Sequence, residues 1–160
     1  MSDLVLYEVA VGEGVLALTS MPGRTGSFAK DLSDIIAWRP SFVVTLVEQS
    51  ELDDKCAGEI GVAFSQVGIN WAHLPTIDFG TPLIEDNPAW DDMIISAVRY
   101  LSDGARVLVH CYGGCGRSGM AALRIMIAAG EAAEPALSRL RVIRPCAIET
   151  SAQMLWAQKL

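Results

Sequence analysis

A chain of 160 residues with 51% apolar and 19% charged side chains can bury one substantial core. Its mean hydropathy of +0.34 excludes a disordered or collagen-like chain. A net charge of −7 argues against general binding to nucleic acid or anionic membranes. No run reaches the ~18 uninterrupted apolar residues of a membrane span, and the start lacks the basic-then-apolar pattern of a signal peptide. The expected location is the cytoplasm.

In chain order, Leu4–Val9 and Val15–Thr19 read as a hairpin around Gly12 and Gly14. Ser20-Met21-Pro22-Gly23 breaks it. Residues 27–38 show helical spacing, with Phe28, Leu32, Ile35 and Ile36 on one stripe, and Pro40 ends that helix. Phe42–Val47 is a short β-branched run, the pattern of a strand covered on both faces. A helix over Glu59–Val67 and a strand over Ile69–Leu74 follow. Pro75 to Pro88 reads as a loop, succeeded by a helix near Ala89–Leu101 and a turn at Asp103-Gly104.

Arg106–His110 is a second buried-type strand, and it runs into a glycine-rich stretch and then a helix from about Ser118 to Ala129. Helices over Ala133–Ile143 and Ser151–Leu160 finish the chain. No internal repeat or linker interrupts this order. The alternation predicts a single α/β domain over residues 1–160, with a central, mostly parallel sheet flanked by helices.

The four cysteines are Cys56, Cys111, Cys115 and Cys146. No Cys-x-x-Cys pair is present, so the spacing is poor for structural zinc. With no secretion signal and an ample core, reduced thiols are expected.

The chemistry concentrates in His110-Cys111-Tyr112-Gly113-Gly114-Cys115-Gly116-Arg117-Ser118-Gly119. A buried strand ends at His110, and ligands of open α/β sheets bind beyond the carboxyl ends of strands. The following helix N-terminus offers unpaired N–H groups and a positive dipole end. Gly113, Gly114 and Gly116 can take positive φ and turn successive amides inward, a nest suited to phosphate. Cys111 sits at its mouth, where amides, dipole and guanidinium favour thiolate over thiol. Arg117 can fold back and grip two phosphate oxygens with its planar fork. A thiolate facing such a cradle is a nucleophile aimed at phosphorus. The strand-end cysteine alone reads as core and the glycines alone as a tight turn; their conjunction with Arg117 and Ser118 is what points to chemistry.

The run His110-Cys111, five residues, Arg117-Ser118 resembles the phosphate-loop signature of the cysteine-dependent protein tyrosine phosphatase superfamily. Leu74-Pro75-Thr76-Ile77-Asp78-Phe79-Gly80-Thr81-Pro82 is similar to the general-acid loop of small dual-specificity phosphatases, particularly those like kinase-associated phosphatase. The Ser20-Met21-Pro22-Gly23 turn and the run from Arg144 to Gln153 resemble the same subgroup. The resemblance implies a metal-free, cofactor-free phosphatase with a phosphorylated protein substrate, phosphotyrosine first and phosphoserine or phosphothreonine besides.

By that resemblance Cys111 attacks phosphorus while Arg117 and the loop amides from Tyr112, Gly113, Gly114, Cys115 and Gly116 hold the oxygens. Asp78 is the general acid, Ser118 donates to the thiolate, Gln153 places the hydrolytic water, and His110 supports the loop. Asp86, Asp91 and Asp92 compete for the acid role. Gln153 also reads as a solvated helix residue, and His73 as a structural strand residue. Cys115 is either loop filler or a redox partner of Cys111, with Cys56 as the other candidate partner. The loop carries no Lys or Arg, which argues against inositol phosphates and phosphoinositides. A phosphate-binding pseudophosphatase and a rhodanese-type sulfurtransferase are the alternatives. Neither oligomeric state nor the particular substrate is legible.

Overall fold

A computed structural model of the chain describes residues 3–159. Tyr7–Val11 (β1) and Gly14–Thr19 (β2) form the hairpin. Phe28–Trp38 (α1) follows, its start fixed by Ser27, whose hydroxyl accepts the Lys30 amide. Arg39 closes it in the left-handed region, at φ 60°, just before Pro40. Phe42–Thr45 (β3) leads to Gln49–Asp54 (α2), Ile60–Gln66 (α3) and Asn70–His73 (β4). A single 3-10 turn at Ile84–Asp86 enters Asn87–Ser102 (α4). Arg106–His110 (β5), Gly116–Ala128 (α5), Ala133–Ile143 (α6) and Ser151–Gln158 (α7) complete the order. The last residue of the expected final helix, Leu160, lies outside the described residues.

One five-stranded sheet runs in the order β1-β2-β5-β3-β4. Only the β1–β2 pair is antiparallel; β2–β5, β5–β3 and β3–β4 are parallel. The expected α/β class with a mostly parallel sheet therefore holds, with seven α-helices around it among the described residues. β5, the second buried-type run of the sequence, is the central strand, and its Val107, Leu108 and Val109 are wholly buried. No helix among the described residues is long and apolar enough to cross a membrane.

The register decides where chemistry can occur. His110 at the end of β5 lies opposite Thr19 of β2 and Thr45 of β3, and Thr45 lies opposite His73 of β4. Four carboxyl ends thus stop at one level, and the loops that leave them share one edge of the sheet, where parallel sheets take ligands. α5 carries the phosphate loop into the core: Met120, Ala121, Ala122, Leu123, Ile125 and Met126 are fully buried. Its small residues are needed for close approach. A Cβ on Gly119 would lie 2.6 Å from the Ile148 amide nitrogen, so the 144–150 connection packs directly on the first turn of α5.

α2 was not anticipated, because its polar sequence Gln49-Ser50-Glu51-Leu52-Asp53-Asp54 has only Leu52 as a buried anchor. It is held instead by a capping box between Glu48 and Glu51, the Glu48 amide donating to Glu51 Oε2 at 2.7 Å. α5 likewise starts at Gly116, two residues before the Ser118 expected from sequence.

Candidate active site

The loop between β5 and α5 is shaped from outside. Each carbonyl from Tyr112 to Cys115 is taken by a donor beyond the loop's own turn. The Met21 amide donates to Tyr112 O at 3.0 Å. Arg144 donates to Gly113 O at 2.9 Å and to Gly114 O at 3.0 Å. The Ile148 amide donates to Cys115 O at 3.1 Å. With the carbonyls drawn outward, the amides of residues 112–115 find no carbonyl partner among the described residues. That is the electrostatic form of an anion nest. Of the three glycines expected to need positive φ, only Gly114 has it, at 72°. A Cβ there would lie 2.7 Å from the Thr19 backbone. At Gly116 a Cβ would meet the Glu149 carboxylate at 2.6 Å, the movable end of a side chain, so a substitution there would push that carboxylate aside.

Cys111 is 3% exposed, and its Sγ lies 3.3 Å from the buried Ser118 hydroxyl. Arg117, 1% exposed, grips Glu51 with both terminal nitrogens, at 2.8 and 2.9 Å. It also donates to Thr76 O at 2.9 Å and meets Asp78 Oδ1 at 3.3 Å. Burial opposes charge on both sides of the Arg117–Glu51 pair. Their mutual hydrogen bonds win, holding Glu51 below the usual carboxylate range and Arg117 above its usual one. Arg117 Nε is buried without a partner among the described residues, and the guanidinium lies within electrostatic reach of Cys111.

Asp78 is brought to the site, and its carboxylate also accepts the Phe79 amide at 3.1 Å. Its sequence competitors are elsewhere: Asp86 stands at the start of α4 with no side-chain capping bond, and Asp91 and Asp92 are exposed on that helix. Gln153 is fully buried, not a solvated helix residue. Its Oε1 accepts the Glu149 and Thr150 amides at 3.0 and 3.3 Å, and its Nε2 donates to Gly80 O of the acid loop at 3.2 Å.

His110 is fully buried, with Nε2 2.7 Å from Thr45 Oγ1. Cys111 O, 3.4 Å from Nδ1, can only accept, which places the ring proton on Nδ1, so Thr45, which accepts the Trp71 indole N–H at 2.8 Å, donates to Nε2. Burial pushes the imidazole down to about 4, so it is neutral. His73 bonds to Val47 O at 2.8 Å, the structural part expected of it.

The cysteines correct the reduced-thiol expectation. Cys115 is disulfide-bonded to Cys146, with Cα atoms 5.2 Å apart, while Cys56 and Cys111 are free. Cys115 is thus neither filler nor a partner for Cys111. The pairing was hidden because 31 residues separate two cysteines that meet only when the 144–150 connection folds against the phosphate loop. Glu51 was missed too; the signal available was a Glu48-x-x-Glu51 capping pattern just beyond the carboxyl end of a buried strand.

A family model described as "Polymorphic toxin system, DSP-PTPase phosphatase" matches residues 19–131. The chain belongs to this phosphatase family. It is 30% identical over 135 residues to cyclin-dependent kinase inhibitor 3 of Mus musculus, covering 81% of this chain but only 63% of that relative's length. Among solved structures, it resembles kinase associated phosphatase carrying a serine in place of the catalytic-site cysteine. That match has a TM-score of 0.85 at 22% identity, over 98% of this chain and 93% of the other. It also resembles the active form of Tk-PTP, with a TM-score of 0.69 at 29% identity, over 91% and 92% of the two chains.

Two outcomes are expected from this geometry. Glu51→Ala leaves the Arg117 charge buried with half its partners gone, and should destabilise the fold by roughly 3 kcal/mol, read as a lower denaturant midpoint. The His110 imidazole should stay neutral from pH 8 to pH 5 in long-range proton–nitrogen spectra. Because its folded value lies below the unfolded one, stability is complete above about pH 6.5 and falls as pH drops toward 4.

Proposed function

We propose that this chain hydrolyses phosphate monoesters through a cysteinyl-phosphate, acting on phosphotyrosine and also phosphoserine or phosphothreonine in proteins. The observation that carries the reading is the buried, unpartnered Arg117 Nε beside Cys111 and a loop of unpartnered amides. An orphaned guanidinium N–H is costly unless an anion completes it. The family membership and the likeness to kinase associated phosphatase support a phosphorylated protein as substrate.

In the proposed cycle the Cys111 thiolate forms a bond to phosphorus as the ester P–O bond breaks. Arg117 and the amides stabilise the equatorial oxygens. Asp78 gives its proton to the leaving oxygen, then as carboxylate takes one from the water that cleaves the thiophosphate bond. Ser118 donates to the departing thiolate from 3.3 Å. Gln153, implied by resemblance to place water, spends both polar ends on backbone groups; its contribution is to hold the acid loop at Gly80, and through it the water.

Hydrolysis of nitrophenyl and phenyl phosphate in EDTA tests this. Turnover should persist in EDTA and vanish in Cys111→Ser. Asp78→Asn should lower kcat for phenyl phosphate by about 100- to 10,000-fold and for the better nitrophenyl leaving group by less. A folded wild-type protein that binds phosphate without turnover would establish the pseudophosphatase instead.

The cystine bears on where the protein works. Disulfides persist in oxidising compartments and are rare in cytosol, so Cys115–Cys146 pulls against the cytoplasm suggested by the sequence. Alkylation in intact producing cells, followed by mass measurement, should label two cysteines, Cys56 and Cys111. Labelling of all four would restore the cytoplasmic reading.

A further inference from the structure

The mouth of the site is a cavity of about 370 Å³ lined in part by Arg24, Asp78, Phe79, Tyr112, Arg144 and Glu149. Its two arginines differ in what they have left to offer. Arg144 lies over the Tyr7 ring, 4.2 Å from its centroid, and spends its donors on Gly113 and Gly114 carbonyls. Arg24 has no carboxylate within ion-pair distance and no side-chain hydrogen bond among the described residues. Its guanidinium lies over the Tyr112 ring, 5.1 Å from the centroid. Stacking on a ring face leaves the in-plane N–H donors pointing away from the ring, open to an anion.

The loop that carries Arg24 is built to hold it there. The Met21 amide is tied to the phosphate loop at Tyr112 O, and the Arg24 amide turns back to Met21 O at 3.1 Å. Gly23, at φ 83°, donates its amide to the buried Asp31 carboxylate at 2.8 Å. The turn is thus tied beside the phosphate nest and the exposed Arg24 guanidinium reaches over Tyr112, although the nest itself contains no basic residue except Arg117.

We propose that Arg24 reads a second anionic group on the substrate, an Asp or Glu side chain next to the phosphorylated residue of a protein. The inference rests on the phosphatase reading above and adds a preference for acidic phosphopeptides. A peptide fits the surroundings better than a lipid surface. The exposed apolar side chains Ile77 and Phe79 flank Asp78 and offer contact to neighbouring peptide side chains. One unpaired arginine at this mouth, on a chain of net charge −7, lacks the basic cluster that draws proteins to anionic bilayers.

The test compares kcat/KM for a phosphotyrosine peptide flanked by Asp and Glu with the same peptide carrying Asn and Gln. In low salt the wild-type chain should prefer the acidic peptide by about fivefold, the scale of one exposed ion pair, and the preference should shrink as salt rises. Arg24→Gln should bring the ratio to one, and Arg24→Lys should retain part of it. Equal rates on the two wild-type reactions, or a preference that survives Arg24→Gln, overturn the proposal. Faster, Arg24-dependent release of phosphate from phosphatidylinositol phosphate vesicles would overturn it in favour of a lipid substrate. Absence of turnover on nitrophenyl phosphate as well would instead strike the phosphatase reading beneath it.

Discussion

Arg117 is a full positive charge held almost completely out of water, and burial of an ion costs several kcal/mol unless partners replace its hydration. Glu51 supplies two of those partners, the Thr76 carbonyl a third and Asp78 a looser fourth. These come from two connections, leaving β3 and β4, and meet the arginine carried by the connection that leaves β5. The guanidinium therefore does more than face a ligand: it is the common post to which the phosphate loop, α2 and the acid loop are fastened. What holds the arginine in place also aims it, since the fork is fixed by Glu51 while Nε is left over.

The same logic governs the backbone of the phosphate loop. A nest of inward amides requires outward carbonyls, and outward carbonyls near a core must find donors. The chain finds them in two places far apart in sequence: Met21 on one side, Arg144 and Ile148 on the other. The turn after β2 and the connection between α6 and α7 are therefore structural parts of the site, although neither carries a reacting group. His110 completes the support from below as a neutral imidazole fed by Thr45 and Trp71, joining β5 to β3 and β4 where the strands end.

Sequence patterns revealed the parts of this arrangement that are local. β5, α6 and the spacing of Cys111, Arg117 and Ser118 are continuous runs, and Asp78 stood out within a proline-rich loop. What escaped was non-local or weakly patterned. α2 has one apolar anchor, so no amphipathic stripe announced it, and with it went Glu51. Gln153 is named as a site residue by resemblance, but its own pattern leaves a solvated helix position open, because its burial depends on α7 packing against α5. The glycines illustrate the limit well: sequence grouped Gly113, Gly114 and Gly116 together, whereas the fold asks left-handed backbone of Gly114 alone. Arg24 was invisible as a site residue until the turn that bears it was placed beside Tyr112.

The Cys115–Cys146 bond gives the two sides of one loop opposite chemical needs. On its inner side the proposed mechanism needs Cys111 as a free thiol; on its outer side the Cys115–Cys146 bond staples the 144–150 connection behind it. A strong oxidant disables the first and a strong reductant severs the second. Handling reagents chosen to protect one sulfur are therefore a hazard to the other, and the intact site belongs to a redox window with two edges rather than to a simple preference for reducing conditions.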